Sequence, residues 1–318
     1  MTSASAMGWS GDRLAHEVLL YASDAELRSR VLPFVEEALA AGETVAVVAG
    51  AEVRSILLDR FGAGVQDFAL FVDADEAWVG GSQTMGWYRD VLRPLLGERR
   101  PCRVVAEPTW MAHPWGAVWS RYDAVANELF AGESCYILCL HDRRTVPASL
   151  LEEELCVHPL VWDGAETVAS PSYVPTDEFL RSVEPSWRPA PEARESHTVT
   201  AAAQARSVVS AALSGWAPES LEDDVLLAVN ELVSNAVRVA GAAEVSHWRD
   251  GASLVWEVSD SGPGMHETRA GYLPPPAEEL SGRGLWIART LADDAVVRPH
   301  GPGTAIRLFF SPAEADSA

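Results

Sequence analysis

The sequence contains no lysine: all 24 basic side chains among its 318 residues are arginine. That absence excludes three classes of protein. A P-loop needs its Lys on the β- and γ-phosphates. A protein kinase of the usual fold needs its strand Lys. Pyridoxal phosphate and other Schiff-base enzymes need an amine nucleophile. Cysteine is scarce, and Cys102, Cys135, Cys139 and Cys156 all fall in the first half. Scattered through apolar runs, they point to reduced, buried thiols and not to a disulfide scaffold. No run of about 18 apolar residues is present, so no membrane span is expected. The opening MTSASAMGWSGDR has neither a basic start nor an apolar run. A signal peptide is therefore not expected, and a cytoplasmic location is. Positive charge is also short: 46 acidic residues leave a formal net charge of -22. That argues against a nucleic-acid partner, which needs a basic face, and against docking on anionic lipid.

What is present suits two domains, each with its own core: 48 % of residues are apolar and 22 % charged. In the first half, apolar runs at 17–22, 44–50, 67–72, 103–107 and 134–142 read as strands. Helical spacing follows Asp24 (Leu27, Val31, Phe34, Val35, Ala38, Leu39) and stops at Gly42, with further helices at 51–61 and near 115–131. Strand and helix in alternation predict an α/β fold with a mainly parallel, doubly covered sheet. From Glu166 to Ser196 the chain carries five prolines and little periodicity, and reads as an inter-domain linker in which Tyr173, Phe179 and Trp187 are costly to leave wet. The second half reads as helices at 199–214 (ended by Gly215) and 218–239, strands at 243–249 and 252–259, and an irregular stretch 260–283 that includes Pro274-Pro275-Pro276. A helix at 284–292 and strands at 294–298 and 304–310 close it. That order predicts an α+β domain with helices on one face of a largely antiparallel sheet.

Three short segments of the second half carry chemistry. Glu231, Asn235 and Arg238 recur at helical spacing and form one polar stripe among apolar neighbours. Asp260-Ser261-Gly262-Pro263-Gly264 follows an apolar strand, where an acid can hold a base edge while glycines turn the backbone. Gly282-Arg283-Gly284-Leu285 opens a helix, where backbone N–H groups can approach an anion. Taken singly, these read equally as a surface stripe, a simple turn and a Gly-rich helix start.

In this order and spacing the three resemble the N box and the two glycine boxes of the GHKL (Bergerat-fold) ATPases, the superfamily of gyrase and the histidine kinases. Gly303-Thr304 resembles that superfamily's fourth element, and the likeness covers about 196–312. It implies an α/β sandwich that binds ATP and Mg²⁺. Asn235 would be the Mg²⁺ ligand, an oxygen donor suited to a hard ion. Asp260 would accept from the adenine amino group, and Thr304 would close the adenine site. Gly262 and Gly264 would shape the start of the ATP lid. Gly282 and Gly284 would contact phosphate, with Leu285 in the same box, and Arg238 would face phosphate. Glu231 would be the general base.

The lid of 17 residues between Gly264 and Gly282, with the ELVSNA and GRGL wording, is similar to the anti-sigma-factor serine/threonine kinases. This implies a sigma factor and an anti-anti-sigma (STAS-domain) protein as partners, and homodimerisation. Many relatives carry His after the Arg238 position, where this chain has Val239. The alternative is thus a module that binds nucleotide and sequesters its partner without phosphorylating it. A histidine kinase is the third reading, with His197, 38 residues before Asn235, as its phosphoacceptor. That gap leaves no room for a long helical hairpin.

The first half, over about 13–165, is similar to the MEDS sensory domain in its HEVLLY, PFVEEALAAGETVAVVAG, LCLHDRR and VHP segments. The likeness implies a RecA-like fold that lost its P-loop, with a docking or small-molecule sensing role. Ala22-Ser23-Asp24-Ala25-Glu26 stands where a phosphate loop would be, with acids and no glycine. His16, His141, His158, Cys139 and Cys156 are metal-ligand types but lack chelate spacing. Cys135 and Cys139 on one strand would be roughly 13 Å apart. Core cysteines and hydrogen-bonded histidines are the expectation. Trp110, Trp115 and Trp119 are expected as core or interface aromatics, with an apolar ligand pocket as the alternative.

Overall fold

The computed structural model describes residues 9–62, 64–65, 69–96, 101–183, 189–214, 219–251, 253–273 and 282–311. Gly215, Pro274-Pro275-Pro276, Trp187 and the side chain of Trp115 lie outside the described residues. Apart from Gly80–Ser82, the chain divides between Leu180 and Arg181 into two compact units.

The first unit runs β1 (Ala15–Tyr21), α1 (Asp24–Ala41), β2 (Thr44–Ala49), α2 (Ala51–Phe61), β3 (Ala69–Asp73), α3 (Ala74–Ala77), α4 (Gly81–Leu96), β4 (Cys102–Ala106), α5 (Trp119–Leu129), β5 (Cys135–Asp142), α6 (Ala148–Val157), β6 (Leu160–Trp162), β7 (Thr167–Ala169) and α7 (Thr176–Ser182). Its sheet has the order β3-β2-β4-β5-β1-β6-β7. Every pairing is parallel except β6 with β7. All five residues of β4 and the first seven of β5 are buried. A strand with both faces buried must be covered on both sides, which is the doubly covered sheet expected.

Two features of this unit differ from the sequence reading. The stretch expected as a linker is built in part into the fold: β7 extends the sheet, and α7 is anchored by Phe179 and Leu180, both buried, and by the Thr176 hydroxyl, which donates to the Ala124 carbonyl at 2.8 Å. The helices α3, α4 and α6 were also not anticipated. Gly81, Gly86 and Pro94 mask the helical character of α4.

The helix start after β1 shows why no phosphate belongs there. Ser23 caps α1 by accepting from the Glu26 N–H at 3.3 Å, and Glu26 reaches back to accept from the Ala22 N–H at 2.6 Å. This reciprocal cap occupies the Ala22 and Glu26 N–H groups and sets a carboxylate where a phosphate would have to lie. At the other end Gly42, at φ 69°, closes the helix in the left-handed region.

The second unit runs β8 (Glu195–Val199), α8 (Ala202–Leu213), α9 (Glu219–Ala240), β9 (Ala243–Asp250), β10 (Ser253–Ser259), α10 (Arg283–Leu291), β11 (Asp294–His300) and β12 (Gly303–Phe310). The sheet order is β11-β12-β10-β9-β8, antiparallel throughout. Leu254, Trp256 and Val258 of β10 and Ile306, Leu308 and Phe310 of β12 alternate onto one face. There they pack with Val209 of α8, Val229, Leu232 and Val233 of α9, and Ala288 of α10. The antiparallel α+β architecture is as predicted, with one addition. The unit opens on strand β8, four of whose five residues are exposed, so it offers no apolar signal.

Candidate functional site

The long helix α9 organises the site. Its core face is apolar, while Glu231 and Asn235 are half-buried and Arg238 and Val239 exposed. Residues 231, 235 and 239 lie four apart and share one stripe. Two glycines of other segments dock along it. A Cβ on Gly284 would come closer than 3.0 Å to Asn235 Nδ2 and within 3.4 Å of Glu231 Oε2. A Cβ on Gly262 would lie 3.1 Å from Val239 Cγ2. Glycine is what permits both approaches.

At the Gly262 end, Asp260 follows β10, and its backbone N–H donates to the Thr304 carbonyl at 2.9 Å. Its carboxylate accepts from the Gly262 N–H at 2.8 Å through Oδ1. A Cβ on Gly303 would collide with the Asp260 carbonyl, so Gly303-Thr304 and Asp260 are in direct contact. Gly264 turns the chain at φ 78°. At the other end, Gly282 (φ 86°) is the N-cap of α10 and brings no side-chain acceptor to the first N–H groups of that helix. Arg238 donates to Asn235 Oδ1 at 3.3 Å.

All ten singled-out residues of this half are therefore described. Nine gather around α9, the adjoining ends of β10 and β12, and the start of α10. Leu285 is the exception, because its side chain is buried in the core. The set fits a nucleotide with its ion. It supplies an uncapped helix start for phosphate, a carboxamide oxygen for a hard cation, a carboxylate for a base edge, and three close glycines. His197 lies exposed on the edge strand β8, paired with Val245 of β9, and not on a helix.

In the first unit His16 and His158 are buried and hydrogen-bonded and Cys139 is a core cysteine, as expected, but the structure also brings them together. His16, His141, His158 and Cys139 converge with Asp123 and Glu154 in the core, although no two share chelate spacing. Cys156 stands apart, half-buried. Burial pulls the His141 imidazole down to about 4 and pushes the Cys139 thiol well up. Burial also raises Glu154, helped by Asp123, while Asp123 itself is held low because His158 and His16 outweigh its burial. Trp110 and Trp119 are core aromatics, with ring centroids 4.9 Å apart edge to face. Trp119 also lines a cavity beside His16, Asp123 and Cys139. Sequence reasoning missed Asp123, Asn127 and Glu154, which carry no local signal.

Comparison with known families agrees with this division. Residues 15–159 match the MEDS (methanogen/methylotroph, DcmR sensory) domain. Residues 195–310 match the histidine kinase-like ATPase domain. No curated protein matches the chain. Among the described residues, no helix is long and apolar enough to cross a membrane.

Proposed function

From a MEDS domain joined to a GHKL-type ATPase domain, we propose a cytoplasmic regulator in which the first unit senses a signal and the second is an ATP-dependent serine/threonine kinase. In this reading the kinase is an anti-sigma factor: it binds a sigma factor, phosphorylates a STAS-domain anti-anti-sigma partner and acts as a homodimer. The observation that carries the reading is the docking of Gly284 onto Glu231 and Asn235, which gathers a carboxylate, a carboxamide and a helix N-terminus at one point.

ATP, when bound, supplies the transferable phosphoryl group. Asn235 would hold Mg²⁺, Gly282 and Gly284 would open the backbone to phosphate, and Arg238 would add positive charge beside them. Asp260 would accept from the adenine amino group, Thr304 would close the adenine site, and Gly262 and Gly264 would shape the start of the lid. Glu231 takes the proton from the attacking hydroxyl. These groups work by positioning and charge neutralisation.

A second reading, sequestration without phosphorylation, rests on Val239. It places an apolar side chain, 45 % exposed, against Gly262, at the position where the resemblance implies His in many relatives. Calorimetry of Mg²⁺-ATP binding on the wild type and on the Asn235→Ala, Asp260→Asn double variant tests the site. Binding that the double variant loses is expected; equal binding by both removes these residues from it. Glu231→Ala then separates the two readings. It should bind ATP and form no acid-stable phosphate on the STAS partner. If sigma-factor inhibition and its reversal match the wild type in that variant, sequestration is the function.

A further inference from the structure

The buried cluster of the first unit has the geometry of a metal site. His16 lies on β1, Asp123 on α5, Cys139 on β5, and His158 ends α6. The parallel register sets His16 opposite Ile137, so Cys139, two residues on, projects from the same sheet face. One donor atom from each of the four lies within 4.8 Å of the others. His16 Nε2 is 3.4 Å from Cys139 Sγ and 3.4 Å from Asp123 Oδ1. His158 Nε2 is 3.7 Å from Asp123 Oδ2. A tetrahedral zinc ion with Zn–N, Zn–O and Zn–S bonds of about 2.0–2.3 Å has ligand-to-ligand edges of roughly 3.3–3.6 Å. The His16–Cys139 and His16–Asp123 separations match those edges, while His158 meets Asp123 through its other oxygen, Oδ2.

The hydrogen atoms point the same way. Asn127 donates its Nδ2 to the Val157 carbonyl at 2.8 Å and the Ala124 carbonyl at 3.2 Å. Its Oδ1 is thereby turned to His16 Nδ1, 3.1 Å away, and that nitrogen must carry the proton. His158 Nδ1 donates to the Glu154 backbone carbonyl at 2.7 Å. Both rings are therefore held through Nδ1 and turn Nε2 toward the cluster, the arrangement that outer partners impose on metal-binding histidines. His158 Nε2 and Asp123 Oδ2 are buried and make no hydrogen bond. A cation between these two buried atoms would satisfy both.

We propose that the first unit holds one divalent transition-metal ion of the zinc type, bound by His16 Nε2, His158 Nε2, Cys139 Sγ and an Asp123 oxygen. Two imidazoles, a thiolate and a carboxylate suit zinc and disfavour magnesium or calcium. One thiolate and one carboxylate neutralise a doubly charged ion, which makes its burial tolerable. Binding takes Cys139 as the thiolate and each histidine through an unprotonated Nε2, so it releases protons to solvent. His16, Asp123 and Cys139 also line a cavity with Met85, Tyr88 and Trp119, so the ion is approached from that side. His141 and Glu154 form a second layer, with Nε2 and Oε2 3.3 Å apart.

The test uses the untagged full chain, stripped with a chelator and titrated with Co²⁺ as the spectroscopic probe for zinc. One equivalent should bind with the intense visible bands of a tetrahedral ion and a near-ultraviolet thiolate-to-cobalt band, both abolished by Zn²⁺. Cys139→Ser should lose the near-ultraviolet band, whereas Cys135→Ser, altering another buried cysteine of β5, should keep it. Asn127→Leu should weaken binding by about 10- to 100-fold. A folded wild type that shows only the spectrum of aqueous Co²⁺ overturns the site. Tetrahedral binding without the thiolate band overturns this ligand set, since the alternative group Asp123, His141, Glu154 and His158, and the group Glu195, His197 and His247, contain no thiol. A thiolate band that survives in Cys139→Ser also overturns it.

Discussion

Gly284→Ala is the sharpest probe of the nucleotide site, because opposing effects on stability nearly cancel while binding does not. Within α10, alanine favours the helix over glycine by about 0.8–1 kcal/mol. Against that, the new Cβ falls well inside 3.0 Å of Asn235 Nδ2 and at 3.4 Å from Glu231 Oε2. Overpacking of this kind costs about 1–3 kcal/mol. The net change in stability is therefore small, about 0–2 kcal/mol of loss by these two terms. To restore ordinary contact the Asn235 carboxamide must retreat by roughly 1 Å from where it would hold Mg²⁺, a disturbance that costs up to about 100-fold in ion affinity. Urea denaturation and Mg²⁺-ATP calorimetry on the same preparation separate the two quantities. Near-native stability with an affinity weakened by up to about 100-fold, about 2.7 kcal/mol, is expected. An affinity within about threefold of the wild type would refute the claim that this glycine sets the Asn235 position.

Two further predictions concern stability. Arg30 and Glu17, 4 % and 0 % exposed, join α1 to β1 through Nε–Oε1 and Nη2–Oε2 bonds of 2.8 and 2.5 Å. Arg30→Met alone strands a buried carboxylate and should cost about 3–5 kcal/mol, with Glu17→Met, Arg30→Met together costing less; a single-variant loss below about 1 kcal/mol in urea would count against it. In the second unit, burial lowers the His247 imidazole below its ordinary value, more than Glu195 raises it. The unfolded chain then takes up a proton that the folded unit resists, so stability is highest above about pH 6.5 and falls as pH drops below it. A His247→Phe variant should show a shallower fall in its urea midpoint between about pH 7 and pH 5, and identical slopes for variant and wild type would remove His247 as a source.

How much was legible depended on how local each signal was. Glu231 and Asn235 are one helical turn apart, and Asp260, Gly262 and Gly264 share a single loop, so their grouping needed no tertiary information. Strands β1, β2, β4 and β5 were visible as apolar runs because both their faces are buried. Strand β8, by contrast, sits at a sheet edge with its side chains in water, and β6 and β7 have three residues each. Neither kind leaves a hydrophobic period to read. The histidine–cysteine cluster was hidden for a different reason. His16 and Cys139 meet only through the β1–β5 register, and Asp123 and His158 arrive on helices that cover the sheet. Spacing along the chain therefore argued against an assembly that spacing through the sheet creates.

The stripe on α9 also acts as a gauge. From Glu231 to Val239 the helix rises about 12 Å at 1.5 Å per residue. Gly284 docks near the start of that interval and Gly262 at its end. Because α9 is buried along its core face, this separation is as rigid as the helix and does not adjust to what occupies it. A molecule that engages both glycine turns must be long enough to span them, and one truncated at either end forfeits a whole anchor. If the proposed nucleotide engages both turns, the helical rise would then select it by length.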